Sequence, residues 1–267
     1  MSYIFDVDGT LTPSRKQIDE EFLSFMLDFA DKYNVYFVTG SDRDKTIEQI
    51  GVDLYNSARR VYNCSGSDVY EKYVNVYRDD WELPEEVEKY LLSELEFSEF
   101  PIRNGVHIEK RPGTVNFSIL GRGEDPSVGR EEYVSWDKIH SERSFIARRI
   151  IRDFPDLYVA LGGQTGLDIA PQGRGKEQII RDFEGGVKFY GDRMDVGGND
   201  YSLALAIREK KLGETFHVYD YKHTWELLEY ETSVKSGTSG TKRLYRRSII
   251  RTNEKPLKLW HLMLNHL

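Results

Sequence analysis

Asp6 and Asp8 stand two residues apart, at the end of the apolar run YIFDV and directly before the turn GTLT. Two carboxylates on one turn repel unless a positive charge lies between them, and a divalent cation held by oxygen ligands is the common solution. A second acidic turn, GDRMDVGGND at 191–200, offers Asp192, Asp195 or Asp200 to complete such a site. A lone D-x-D is common and usually carries no chemistry. Here it is joined by the turn Thr39-Gly40-Ser41, which follows the next apolar run, and by a downstream lysine, Lys176.

Apolar periodicity shows which elements must position these groups. SYIFDV is a short strand of the buried type, and KQIDEEFLSFMLDFADKY places Ile18, Phe22, Phe25, Met26 and Phe29 at helical spacing. NVYFVTGS is again a strand ending in a turn, VKFYGDRMDVGGND repeats that form before a helical YSLALAIREKK, and TFHVYDY and HTWELLEY give a last strand and helix. Strand, helix and strand in that order predict a parallel pair with a right-handed crossover. Chemistry then belongs at the carboxyl ends of the strands, where Asp6, Asp8 and Thr39 fall. Between Trp81 and Pro171 the segments VHIEKR, TVNFSILGR, YVALGGQ and TGLDIAP read as strands around two helical stretches. The expected fold class is therefore α/β: a doubly wound parallel-sheet core from residues 1–81 and 172–230, interrupted by an α+β cap at 82–171.

Composition narrows the function classes. With 267 residues, 39% hydrophobic and 31% charged, the chain can bury a sizeable core. A net charge of -8 argues against nucleic-acid binding by the bulk of the chain. The single cysteine, Cys64, excludes an intramolecular disulfide and fits a reducing compartment. No apolar run approaches the roughly 20 residues of a membrane span and no leader pattern opens the chain, so a cytoplasmic location is expected. The segment 231–267 differs from the rest, with eight Lys or Arg against two Glu after a Gly/Ser/Thr linker. Its KRLYRRSIIR stretch suits an acidic partner or nucleic acid, LKLWHLMLNHL suits a docking helix, and an appended packing segment is the plainer expectation. The six histidines lack zinc-ligand spacing. GGQTG lacks the strand-to-helix setting of a dinucleotide site. Arg59 and Arg60, and Arg148, Arg149 and Arg152, read as solvated faces.

The stretch DVDGTLT resembles the first signature of the haloacid dehalogenase (HAD) superfamily of phosphotransferases. That resemblance implies Asp6 as nucleophile and Asp8 as general acid/base. It implies Thr39 or Ser41, with Gly40 between them, and Lys176 as the phosphoryl-holding groups. Mg2+ would be held by Asp6, Asp8 and Asp192, with Asp200 in support. Phosphoryl transfer has these needs: in-line attack by a held carboxylate, and neutralisation of the phosphoryl oxygens.

Four blocks in register are similar to the eukaryotic-type phosphomannomutase family: FDVDGTLTPSR, GVHIEKRPGTVNFSILGR (105–122), GGQTGLDIAPQGRGK (162–176) and FYGDRMDVGGND (189–200). The similarity implies a cap whose arginines, Arg111, Arg122 and Arg130, clamp the distal phosphate of a hexose phosphate, with Asp168 and Arg15 near the sugar. It also implies a hexose 1,6-bisphosphate activator and a homodimer through the cap. Gly166 stands where the family carries a Ser, which keeps open an alternative, a Mg2+-dependent sugar-phosphate phosphatase on the same aspartates.

Overall fold

The computed structural model describes residues 1–13, 16–125 and 127–235. Arg15 and the basic stretch beyond 235 lie outside the described residues. Strands β1 (Ser2–Phe5), β2 (Asn34–Val38), β3 (Arg60–Asn63), β10 (Val187–Gly191) and β11 (Gly213–His217) pair in parallel in the order β11-β10-β1-β2-β3. An antiparallel hairpin, β4 (Asp68–Glu71) and β5 (Val74–Arg78), extends this sheet to seven strands.

Alternation along β1 explains why helices cover both faces. Tyr3 and Phe5 point into one core with Phe22, Met26 and Phe29 of α1 (Glu20–Lys32) and with Leu227 and Leu228 of α8 (Tyr221–Lys235). Ile4 points the other way, to Phe189 and to Leu203 and Ile207 of α7 (Tyr201–Glu209). A strand apolar on both faces belongs inside a doubly wound sheet, as expected. Helix α1 starts where Asp19 accepts hydrogen bonds from the Glu21 and Phe22 amides, with acidic residues in its first turn and Lys32 in its last. Helices α2 (Arg43–Ile50) and α3 (Val52–Ser57) complete the crossover from β2 to β3.

Residues 106–171 form a second, four-stranded antiparallel sheet in the order β6 (Val106–Arg111), β7 (Thr114–Arg122), β9 (Gly166–Pro171), β8 (Leu157–Gly162). Val115, Phe117 and Ile119 of β7 pack with α4 (Glu85–Phe97), α5 (Arg130–His140) and α6 (Glu142–Asp153) through Leu91, Tyr133 and Ile150. The intervening Thr114, Asn116 and Ser118 are equally buried although polar. Since residues at i and i+2 share a strand face, these three lie on the sheet face opposite the helices.

Two of the arginines expected on solvated faces are tied down instead. The Arg149 guanidinium of α6 pairs with Glu94, a buried carboxylate of α4, and Arg60 pairs with Glu71 and Asp182. In both cases the partner comes from another element, which local spacing does not show.

Candidate active site

Asp6 follows β1 directly, and its amide donates to Tyr190 O at 2.9 Å, so the sheet ladder continues to the residue bearing the carboxylate. The chain then folds sharply, with Leu11 N and Thr12 N both donating to Val7 O. Gly9 allows this turn, at φ +81°; a Cβ there would sit 2.3 Å from Asp192 Oδ2. Asp192 follows β10 and Asp200 precedes α7, so β1 and β10, neighbours in the sheet, bring the two acidic turns together.

Oxygens of Asp6, Asp192 and Asp200 all lie within 4.8 Å of one another. Lys176, wholly buried in a 3-10 turn (Lys176–Asp182), donates to Asp6 Oδ1 at 2.5 Å and to Asp200 Oδ1 at 2.7 Å. Asp200 Oδ2 accepts from the Arg193 amide at 3.0 Å. Burial and the neighbouring Asp200 push the Asp6 carboxyl well above its ordinary range, and push Asp192 up to about 7. The carboxylates flanking Lys176 raise its pKa further, against the effect of burial.

These residues fit a hard divalent cation. Three carboxylates against one ammonium leave a formal excess of two negative charges, and among the described residues Asp192 Oδ1 is shielded from solvent without a hydrogen-bond partner. Of the expected ligands, the structure gathers Asp6, Asp192 and Asp200. The Asp8 carboxylate lies outside this group and accepts from Gln49 Nε2 at 2.9 Å, and Asp195 is exposed.

Thr39 ends the strand next to β1. Its hydroxyl accepts from the Ser41 amide at 3.0 Å and its carbonyl from the Ser65 amide at 2.7 Å, which holds the 39–41 turn closed. The second sheet sits on this turn. Arg111 Nη1 donates to Gly40 O at 2.7 Å, and a Cβ on Gly40 would stand 3.2 Å from Asp168 Oδ2.

Arg111, Arg122 and Asp168 belong to one network. Asn116 Nδ2 donates to Asp168 Oδ1 at 2.6 Å, Arg122 Nε lies 3.0 Å from Asn116 Oδ1, and Glu109 Oε2 receives Arg111 Nη2 at 2.7 Å and Arg122 Nε at 2.8 Å. Burial works against both guanidinium charges. Asp168 and Glu109 outweigh it for Arg111, whose pKa stands above its ordinary value, whereas Arg122 is held below. Arg130 is also lowered, by burial and then by Arg122, and its Nη1 lies 3.5 Å from Gln164 Oε1. The Asp8 charge acts in the opposite direction on both Arg122 and Arg130, raising what burial lowers.

Glu109, Asn116, Gln49 and Lys45 carry no motif of their own. The strand register supplies the missing signal for two of them: Glu109 pairs with Asn116 and Asn116 with Asp168, so the three form a polar row across β6, β7 and β9.

The site is that of a phosphotransferase-type enzyme, and comparison with known proteins agrees. The family model for eukaryotic phosphomannomutase matches residues 22–223. A phosphomannomutase from Spinacia oleracea is 33% identical over 229 residues, covering 79% of this chain and 88% of the relative, and one from Saccharomyces cerevisiae is 30% identical over 229 residues, covering 79% and 87%. Among solved structures, a haloacid dehalogenase-like hydrolase from Bacteroides thetaiotaomicron superposes with a TM-score of 0.53 at 15% identity over 86% of this chain and 98% of its own. An N-terminally truncated, IMP-bound IMP-nucleotidase from Plasmodium falciparum gives 0.56 at 14% identity over 85% and 67%. These two share the fold. With a HAD-like core, a polar sheet face laid on the 39–41 turn and a family match across most of its length, the chain belongs to the eukaryotic phosphomannomutase family.

Proposed function

We propose that the chain interconverts mannose 6-phosphate and mannose 1-phosphate through phosphorylated Asp6 and a hexose 1,6-bisphosphate intermediate, with Mg2+ as cofactor. Residues 1–81 and 172–230 form the catalytic core, and 82–171 the cap that reads the sugar phosphate. The observation carrying this reading is the Arg111 to Gly40 hydrogen bond at 2.7 Å, which sets a pair of cap guanidinium groups beside the turn that would hold the reacting phosphoryl group.

A mutase substrate carries phosphate at one end and hydroxyl at the other, and both ends take turns at Asp6. Phosphorylated Asp6 gives its phosphoryl group to the free hydroxyl, the bisphosphate turns around, and its other phosphoryl group returns to Asp6. Lys176 keeps the Asp6 carboxylate oriented and shares its charge with Asp200. Bound at Asp6, Asp192 and Asp200, Mg2+ would offset the charge on the transferring oxygens. Asp8, held by Gln49, takes the hydroxyl proton on one leg and returns it on the other. Arg111 and Arg122, with Arg130, fork onto the idle phosphate. The cap sheet lying on the 39–41 turn keeps water from phosphorylated Asp6, whose hydrolysis is the competing reaction. A homodimer would form through the cap, where Phe97 and Ile139 are exposed.

The second reading, a sugar-phosphate phosphatase, is favoured by Gly166. A side chain there would meet the Asn116 amide nitrogen at 2.7 Å, so no hydroxyl is added to the clamp. Phosphorus-31 NMR with Mg2+, mannose 1-phosphate and a trace of hexose 1,6-bisphosphate separates the two. Growth of a 6-phosphate signal without free phosphate is the mutase result; release of inorganic phosphate is the phosphatase result.

A further inference from the structure

Three cations converge on Glu109. Its Oε2 takes Arg111 Nη2 at 2.7 Å and Arg122 Nε at 2.8 Å, while Oε1 takes Lys45 Nζ at 2.5 Å. The arginines come from β6 and β7, but Lys45 comes from α2, whose N-cap Asp42 directly follows the Thr39-Gly40-Ser41 turn. Burial would raise the Glu109 carboxyl, yet Arg111 and Lys45 outweigh it and hold the group below its ordinary range, so it stays ionised.

We propose that Glu109 and Lys45 are positioning residues for the arginine clamp: Glu109 fixes Arg111 and Arg122 side by side, and Lys45 anchors that group to the catalytic turn. This inference rests on the function proposed above. Two guanidinium groups packed together repel, and an anion between them removes the repulsion while fixing their planes. Among the described residues, Arg111 Nε and Arg122 Nη1 remain buried without hydrogen-bond partners. Such donors are costly unless an anionic ligand takes them, so the arrangement leaves the pair ready for phosphate. Because Lys45 belongs to α2, the pair is aimed at Gly40 only while the second sheet sits on the core.

The Lys45 side chain is 39% exposed and that of Glu109 21%, so solvent screens the pair and the effect of losing Lys45 is moderate. In Lys45→Met, KM for mannose 1-phosphate should rise about fivefold with kcat within about twofold, and Lys45→Arg should restore KM. Glu109→Gln, which leaves two guanidinium groups without their anion, should raise KM about tenfold or more, and the double variant should be no worse than Glu109→Gln alone. Amide hydrogen exchange across 106–111, read without substrate, should be faster in Lys45→Met. Unchanged KM together with unchanged exchange would overturn the proposal. If the wild-type protein transferred no phosphoryl group to a hexose phosphate, the functional reading would fail instead, and the exchange comparison would still decide for or against the Lys45 anchor.

Discussion

Lys176 Nζ lies 2.5 Å from Asp6 Oδ1, and both side chains are closed to solvent. The ammonium is shared with Asp200 at 2.7 Å, so one lysine compensates two of the three clustered carboxylates. Breaking a buried pair by removing one partner is far more damaging than replacing both, because a lone charge is left behind. Lys176→Met is expected to lose about 3–5 kcal/mol of stability in urea denaturation and to lose phosphoryl transfer. A variant that keeps its denaturation midpoint would show that Asp6 and Asp200 need no buried cation.

The raised carboxyl groups set the pH dependence of the metal-free protein. In the unfolded chain an Asp titrates near about 3.9. Burial and Asp200 lift Asp6 well above that and Asp192 to about 7 in the folded protein. A folded pKa above the unfolded one gives a contribution to stability that is complete at acid pH and lost as the pH rises through the folded pKa. Without Mg2+, the melting temperature should therefore fall as the pH passes from about 4 to beyond 7. Millimolar Mg2+ should raise it more at pH 8 than at pH 5.5, as differential scanning fluorimetry can show.

Gly9 faces the Asp6, Asp192 and Asp200 cluster directly. At φ +81°, and with a Cβ position 2.3 Å from Asp192 Oδ2, Gly9→Ala both strains the backbone and displaces the Asp192 carboxylate. The expected cost is about 1–2 kcal/mol of stability and about a tenfold rise in the Mg2+ concentration for half-maximal activity. Gly173 is the control: its φ is +76° but no atom lies near its Cβ position. Gly173→Ala should show the strain without the change in Mg2+ requirement.

The roles proposed for Asp8 and Asp6 are separable. Asp8→Asn keeps the hydrogen-bonding shape toward Gln49 but removes the proposed proton carrier. Phosphorylation of Asp6 by an acyl phosphate, whose leaving group needs no proton, should persist while transfer to a sugar hydroxyl falls about 10²–10⁴-fold. Rapid-quench labelling beside steady-state turnover gives both numbers. Equal loss of the two steps would place Asp8 in binding rather than in acid–base work.

What the sequence shows and what it hides divide by how local the signal is. The strand-turn forms at Asp6, Thr39 and Asp192 are local, and the parallel order of β1, β2 and β10 follows from them. The polar row Glu109, Asn116 and Asp168 needs strand register, which spacing along one strand does not give. The Lys45 contact to Glu109 joins residues 64 positions apart on separate elements and has no sequence signature. Asp8 shares a motif with Asp6, yet its carboxylate is drawn to Gln49 of α2 while Asp192 and Asp200 close on Asp6. Strand β5 at the sheet edge leaves Val74 and Val76 exposed, so it lacks the buried apolar face that marks the inner strands.

Covalent phosphorylation of Asp6 is the central claim, and peptide mapping of protein quenched during turnover with hexose 1,6-bisphosphate and Mg2+ tests it most directly. The expected result is one phosphoryl group, labile to base, on the peptide containing Asp6, and none in Asp6→Asn. An unmodified Asp6 peptide from protein caught in active turnover, or full activity in Asp6→Asn, would contradict it.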